Sequence, residues 1–183
     1  MINGKFSEGY LGATRWDGVR SHEFLYGADL SKAVRQELKQ RGIKGVTVRC
    51  SAFSGGQELT VTIKTSESDF IPFDEYKGSK TALDFFSEGH VWVGSRFVTL
   101  DHYNDMTPEE RTALRDELAS ETYKHEKLGD CLQYSYERCD SFTDELKSRI
   151  RKVKTVIDAF RYDDTNSQVD YFDTNFYYDI RVK

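Results

Sequence analysis

The stretch Val46–Lys64, VTVRCSAFSGGQELTVTIK, decides how this chain folds. Val46 and Val48 alternate with Thr47 and Arg49, and Leu59, Val61 and Ile63 alternate with Thr60 and Thr62. Successive side chains of a strand point to opposite faces, so a period of two marks two strands, each with an apolar side. Ser54, Gly55 and Gly56 stand between the runs. Glycine turns the chain at little steric cost, and the stretch therefore predicts a β-hairpin.

Working outward, Asp29 is placed to cap a helix with Leu30, Val34 and Leu38 on one face and Gly42 as its stop. Downstream, HVWVGSRFVTL (His90–Leu100) is extended but broken at Gly94 and Ser95, which predicts two short strands or one kinked one. Thr107, Pro108 and Glu110 form a capping box with proline in the first turn. They open a helix to about residue 120, with a second helical piece over 121–139. Ser141–Thr143 begins another helix, in which Leu146, Ile150, Val153, Val156, Ile157 and Phe160 recur at helical spacing. Phe176, Tyr178, Ile180 and Val182 alternate as a closing strand. This order predicts an α+β fold, a largely antiparallel sheet with amphipathic helices packed on one side. Residues 1–27, rich in glycine and aromatics, form an arm whose rings are expected mostly to pack on the single domain of residues 28–183.

The 183 residues suffice for one domain with a core, and the 14% of aromatic residues supplies that core although 31% are charged. No apolar run is long enough to span a bilayer and the N-terminus lacks the pattern of a signal peptide, so a cytoplasmic location is expected. Cys50, Cys131 and Cys139 are read as reduced thiols. A net charge of -5 disfavours a surface built throughout to grip nucleic acid.

Against that charge, Lys147, Arg149, Arg151, Lys152 and Lys154 line the polar side of the 143–160 helix. Cations in a row can meet phosphates without reading sequence. The same pattern also describes a solvated face beside Asp144, Glu145 and Asp158. Tyr134, Tyr136, Tyr171, Phe172, Phe176, Tyr177 and Tyr178 form a dense aromatic set, half of which should point outward. Tyr171 and Tyr177 are candidates for a partner surface. Asp163, Asp164, Asp170 and Asp173 are acids that could gather around Mg²⁺ or Ca²⁺, yet they lack the calcium-loop spacing and suit turn and cap duties better. His22, His90, His102 and His125 are scattered, no phosphate-binding glycine loop is present, and no cofactor is expected.

Three segments carry a family resemblance: LSKAVRQELKQ (Leu30–Gln40), FSGGQ (Phe53–Gln57) and YDDTNSQVDYFDTNFY (Tyr162–Tyr177). In this order they resemble the large polyvalent protein-associated domains of phages, plasmids and conjugative elements. The resemblance covers the two ends of residues 28–183 and little of the middle. It implies an accessory protein that helps a mobile element survive in a bacterial host, and it supplies no active site. Small free-standing proteins of such elements include anti-CRISPR inhibitors of Cas9. The expectation is therefore a non-enzymatic inhibitor that binds Cas9 or its complex with guide RNA. The alternatives are a metal-dependent nucleic-acid-processing enzyme and a non-catalytic docking module.

Overall fold

The computed structural model describes residues 4–129, 132–169 and 172–183. In chain order the regular elements are β1 (Gly4–Glu8), β2 (Thr14–Gly18), α1 (Ala28–Gln40), β3 (Val46–Phe53), β4 (Gly56–Ile63), α2 (Phe73–Ser79) and α3 (Ala82–Phe85). They continue as β5 (His90–Val93), β6 (Arg96–Thr99), α4 (Leu100–Asp105), α5 (Pro108–Leu128), α6 (Leu132–Ser135), α7 (Asp144–Phe160), β7 (Tyr162–Asp163) and β8 (Tyr177–Val182). The fold is α+β, and among the described residues the strands are shared among three small sheets, β1-β2-β7, β3-β4-β8 and β5-β6.

The hairpin of the opening stretch forms as its alternation dictates, with Val48 opposite Val61 and Phe53 opposite Gly56. The closing strand joins the other edge of β4, and here the pairing is parallel: Leu59 stands beside Tyr178, Val61 beside Ile180 and Ile63 beside Val182. All six side chains are buried, together with Leu30, Val34 and Leu38 of α1 and Leu146, Ile150, Val153 and Ile157 of α7. The helices thus cover one face of this sheet, and the main core lies between them. At the free edge of β8, the buried Gln133 amide donates to Tyr178 O (2.8 Å) and accepts from Ile180 N–H (2.9 Å). It replaces a missing neighbour strand, which an edge would otherwise need to avoid pairing with another chain.

Two local expectations are corrected. Asp29 sits in the first turn of α1 and makes no cap; Gly27, at φ +56°, occupies the cap position and its N–H is taken by the Gln57 side chain (2.7 Å). Helix α5 does not stop near residue 120 but runs to Leu128, because its aromatic Tyr123 packs on Phe73 and Tyr76 of α2 and its hydroxyl bonds Ile71 O (2.8 Å). The interrupted run at residues 90–100 becomes the β5-β6 hairpin, which shares a second, smaller cluster with Phe86, Tyr103, Leu114 and Leu118.

Residues 4–18 are tied closely to the rest of the chain. Strand β2 pairs with β7 and lies across the end of α7, where the last carbonyls of a helix lack intrahelical partners. Trp16 Nε1 donates to Asp158 O (2.8 Å), Arg20 N–H to Ala159 O (2.7 Å) and Gly18 N–H to Arg161 O (2.8 Å). Asn175 Nδ2 takes Phe160 O (2.8 Å). Among the aromatics of this region only Trp16 is packed in this way; Phe6, Tyr10, Phe24 and Tyr26 stay exposed, contrary to the expectation that most would be covered.

Candidate nucleic-acid interface

Helix α7 presents its five basic residues as the spacing predicts, but neighbours from other elements engage most of them. Arg149 donates to Asp69 Oδ1 (2.9 Å) and to Lys64 O (2.9 Å). Arg151 pairs with Glu137 (2.6 Å), Lys154 with Asp158 (2.6 Å), and Lys147 reaches Glu137 O (3.3 Å). Lys152 is exposed. The hydrogen bond from Arg151 holds the Glu137 carboxyl below its ordinary range and raises the guanidinium in turn, as expected of a settled pair.

The acids of the closing segment serve local structure. Asp163 pairs with Arg161 and accepts from Thr165 N–H (3.2 Å). Asp164 accepts from Tyr10 N–H (2.9 Å), and Asp173 from the Tyr162 hydroxyl (2.9 Å). Burial and that bond push the Tyr162 hydroxyl up to about 12. Among the described residues no three His, Cys, Asp or Glu side chains are grouped to hold a metal ion. Of the remaining candidates, Asp170, Tyr171 and Cys131 lie outside the described residues. Cys50 and Cys139 are free thiols, and burial pushes Cys139 up to about 11, away from reactivity.

Tyr177 is 43% exposed and leads to a surface that the sequence did not reveal. The face of β3-β4-β8 opposite the helices carries Thr47, Arg49 and Ser51 from β3, Glu58, Thr60 and Thr62 from β4, and Tyr177, Asp179 and Arg181 from β8. Lys64 and Lys183 extend it at one end, where a depression of about 680 Å³ is lined by Arg49, Thr60, Thr62, Lys64, Arg181 and Lys183 among others. Of its two acids, Asp179 is buried and paired with Arg181. Among the described residues Arg49, Lys64 and Lys183 form no salt bridge. Arg149 of α7 arrives at the same end through its bond to Lys64 O.

Aromatic rings occupy the opposite end. Phe53 lies beside Tyr177 at 6.1 Å between ring centres, both exposed, with Tyr26 donating to Gly56 O (3.4 Å). The FSGGQ segment explains this arrangement. A side chain at Gly56 would meet the Phe53 ring at 3.0 Å, so the glycine lets that ring lie over the facing strand. Gln57, pointing inward, accepts from Gly27 N–H and donates to Leu25 O (3.0 Å) and Asn175 O (3.1 Å).

Arg49 and Lys64 are more than a hundred residues from Arg181 and Lys183, and no linear cluster unites the four. The signal was the same alternation that predicted the hairpin: residues out of phase with the buried Val48, Val61 and Ile180 share the other face. Parallel pairing of β8 then brings the C-terminal cations beside the others. No protein-family model, characterised protein or solved structure matches this chain, so its geometry and the segments quoted above carry the functional reading.

Proposed function

We propose that this protein acts by binding, as an accessory protein of a mobile element that blocks a host defence nuclease in the bacterial cytoplasm. Cas9 carrying its guide RNA is the target the family resemblance favours. The observation that carries the binding reading is the open sheet face, where cations gather at one end and exposed aromatic rings at the other on a chain of net charge -5. Such segregation suits an anionic partner with flat groups, which a nuclease-bound RNA offers. A metal-dependent enzyme has no comparable support, because Asp163, Asp164 and Asp173 are each turned to partners within their own fold.

The test is DNA cleavage by purified Cas9 and guide RNA with increasing amounts of the protein, the RNA being followed on the same gel. Loss of cleavage with the guide intact is expected. Full cleavage at large excess overturns the Cas9 assignment, and a shortened guide overturns the non-enzymatic one.

A further inference from the structure

We propose that the open face of the β3-β4-β8 sheet binds single-stranded RNA, with phosphates over Arg49, Lys64, Arg181 and Lys183 and a base stacked on Phe53 and Tyr177. This deepens the reading above by giving its RNA contact a surface, but it is tested without any nuclease. Three features of the face point the same way.

The first is charge. Phosphates are held best by cations without a competing acid, and among the described residues Arg49, Lys64 and Lys183 are exposed and form no salt bridge, while the exposed Arg181 shares its charge with Asp179 and adds less. The second is the ring pair. Bases inside a duplex show no face to a protein, whereas unpaired bases stack on exposed aromatics, so the 43% exposed Tyr177 and 49% exposed Phe53 favour a single strand. The third is a group of hydroxyls on the same face, Thr47 opposite Thr62 and Thr60 opposite Arg49, all three lining the depression beside the cations. Hydroxyls can donate to and accept from the 2′-OH that distinguishes RNA. From Tyr177 to Lys183 the face runs roughly 20 Å at ~3.3 Å per residue, room for about six nucleotides at duplex spacing and fewer if the strand is stretched.

The experiment is fluorescence anisotropy of a labelled 12-nucleotide single-stranded RNA with the full chain, across a range of salt, with a DNA of the same sequence and an RNA duplex as competitors. Binding to the single-stranded RNA is expected, weakened more than tenfold by Tyr177→Ala. Replacing Arg49 and Lys64 together by glutamine should flatten the salt dependence by roughly 0.7 in log–log slope for each cation removed. These side chains are exposed, so circular dichroism and melting should be unchanged. Absence of binding, equal or tighter binding of DNA or duplex, or unaltered affinity in folded variants overturns the proposal. RNA binding without effect on Cas9 cleavage would leave this surface standing and remove the Cas9 assignment; inhibition of cleavage without RNA binding would do the reverse.

Discussion

The Tyr178 hydroxyl sits inside the fold, where it donates to Asp158 Oδ1 at 3.0 Å while Lys154 holds the other carboxylate oxygen. Burial first, then the Asp158 charge, raises its pKa far above the usual tyrosine range. In the unfolded chain the phenol loses its proton near pH 10. Above that pH the unfolded state releases a proton that the folded state keeps, so stability is full below about pH 10 and falls as pH rises towards the folded value. The slope for one such group approaches ~1.4 kcal/mol per pH unit. Tyr178→Phe should be less stable at pH 8 by about 1 kcal/mol, the worth of one hydrogen bond. It should then lose less stability than the native chain between pH 10 and 11. Urea denaturation across pH 8–11 checks both; parallel curves would show that Tyr178 ionises as freely in the fold as outside it.

At the scale of elements, what was legible from the sequence was local. Helix α7 and the β3-β4 hairpin follow from periodicities contained within each segment, and the Thr107–Glu110 capping box is complete in both directions. The parallel pairing of β8 with β4 joins segments more than a hundred residues apart, and no periodicity records it. For the same reason no local pattern unites the sheet-face cations, whereas the α7 stripe is contiguous in sequence. The closing segment stands out by its composition, and the structure gives that composition a mechanical sense. Asn175 accepts from Tyr162 N–H, Thr174 donates to Tyr162 O, and Asn166 donates to Tyr10 O, so these polar residues bind β7 and the N-terminal hairpin into place. The hairpin in turn caps α7, and Gly18 is the point of closest approach: a side chain there would run into the backbone carbonyl of Asp158. Gly18→Ala should therefore push β2 off the end of α7 and destabilise the protein by about 2–3 kcal/mol. Thermal melting measures the loss, and a change below about 0.5 kcal/mol would mean that the hairpin does not lean on the helix as described.

For the molecule as a whole, the division of apolar side chains into two clusters predicts uneven stability. The larger one joins α1, α7 and the β3-β4-β8 sheet, with Leu59, Val61, Ile63, Ile150 and Val153 wholly buried. The smaller one holds Phe86, Val93, Val98, Tyr103, Leu114 and Leu118, and its β5-β6 hairpin leaves Trp92 and Phe97 exposed. Helix α5 belongs to this cluster through Leu114 and Leu118 and contacts α2 and β8 further along, and the prediction is that β5-β6 with this end of α5 opens while the larger unit stays shut. Native-state hydrogen exchange should give β5 and β6 amides opening free energies at least ~2 kcal/mol below those of β4 and α7. Leu114→Ala, which removes a buried side chain at a cost of about 2–5 kcal/mol, should abolish protection in β5-β6 and leave β4 close to its native value. The proposed RNA-binding face lies wholly on the larger unit, so this variant should also retain its affinity for single-stranded RNA. Equal protection in the two regions, lost together in the variant, would establish one cooperative unit and tie the binding face to the packing of the distant hairpin.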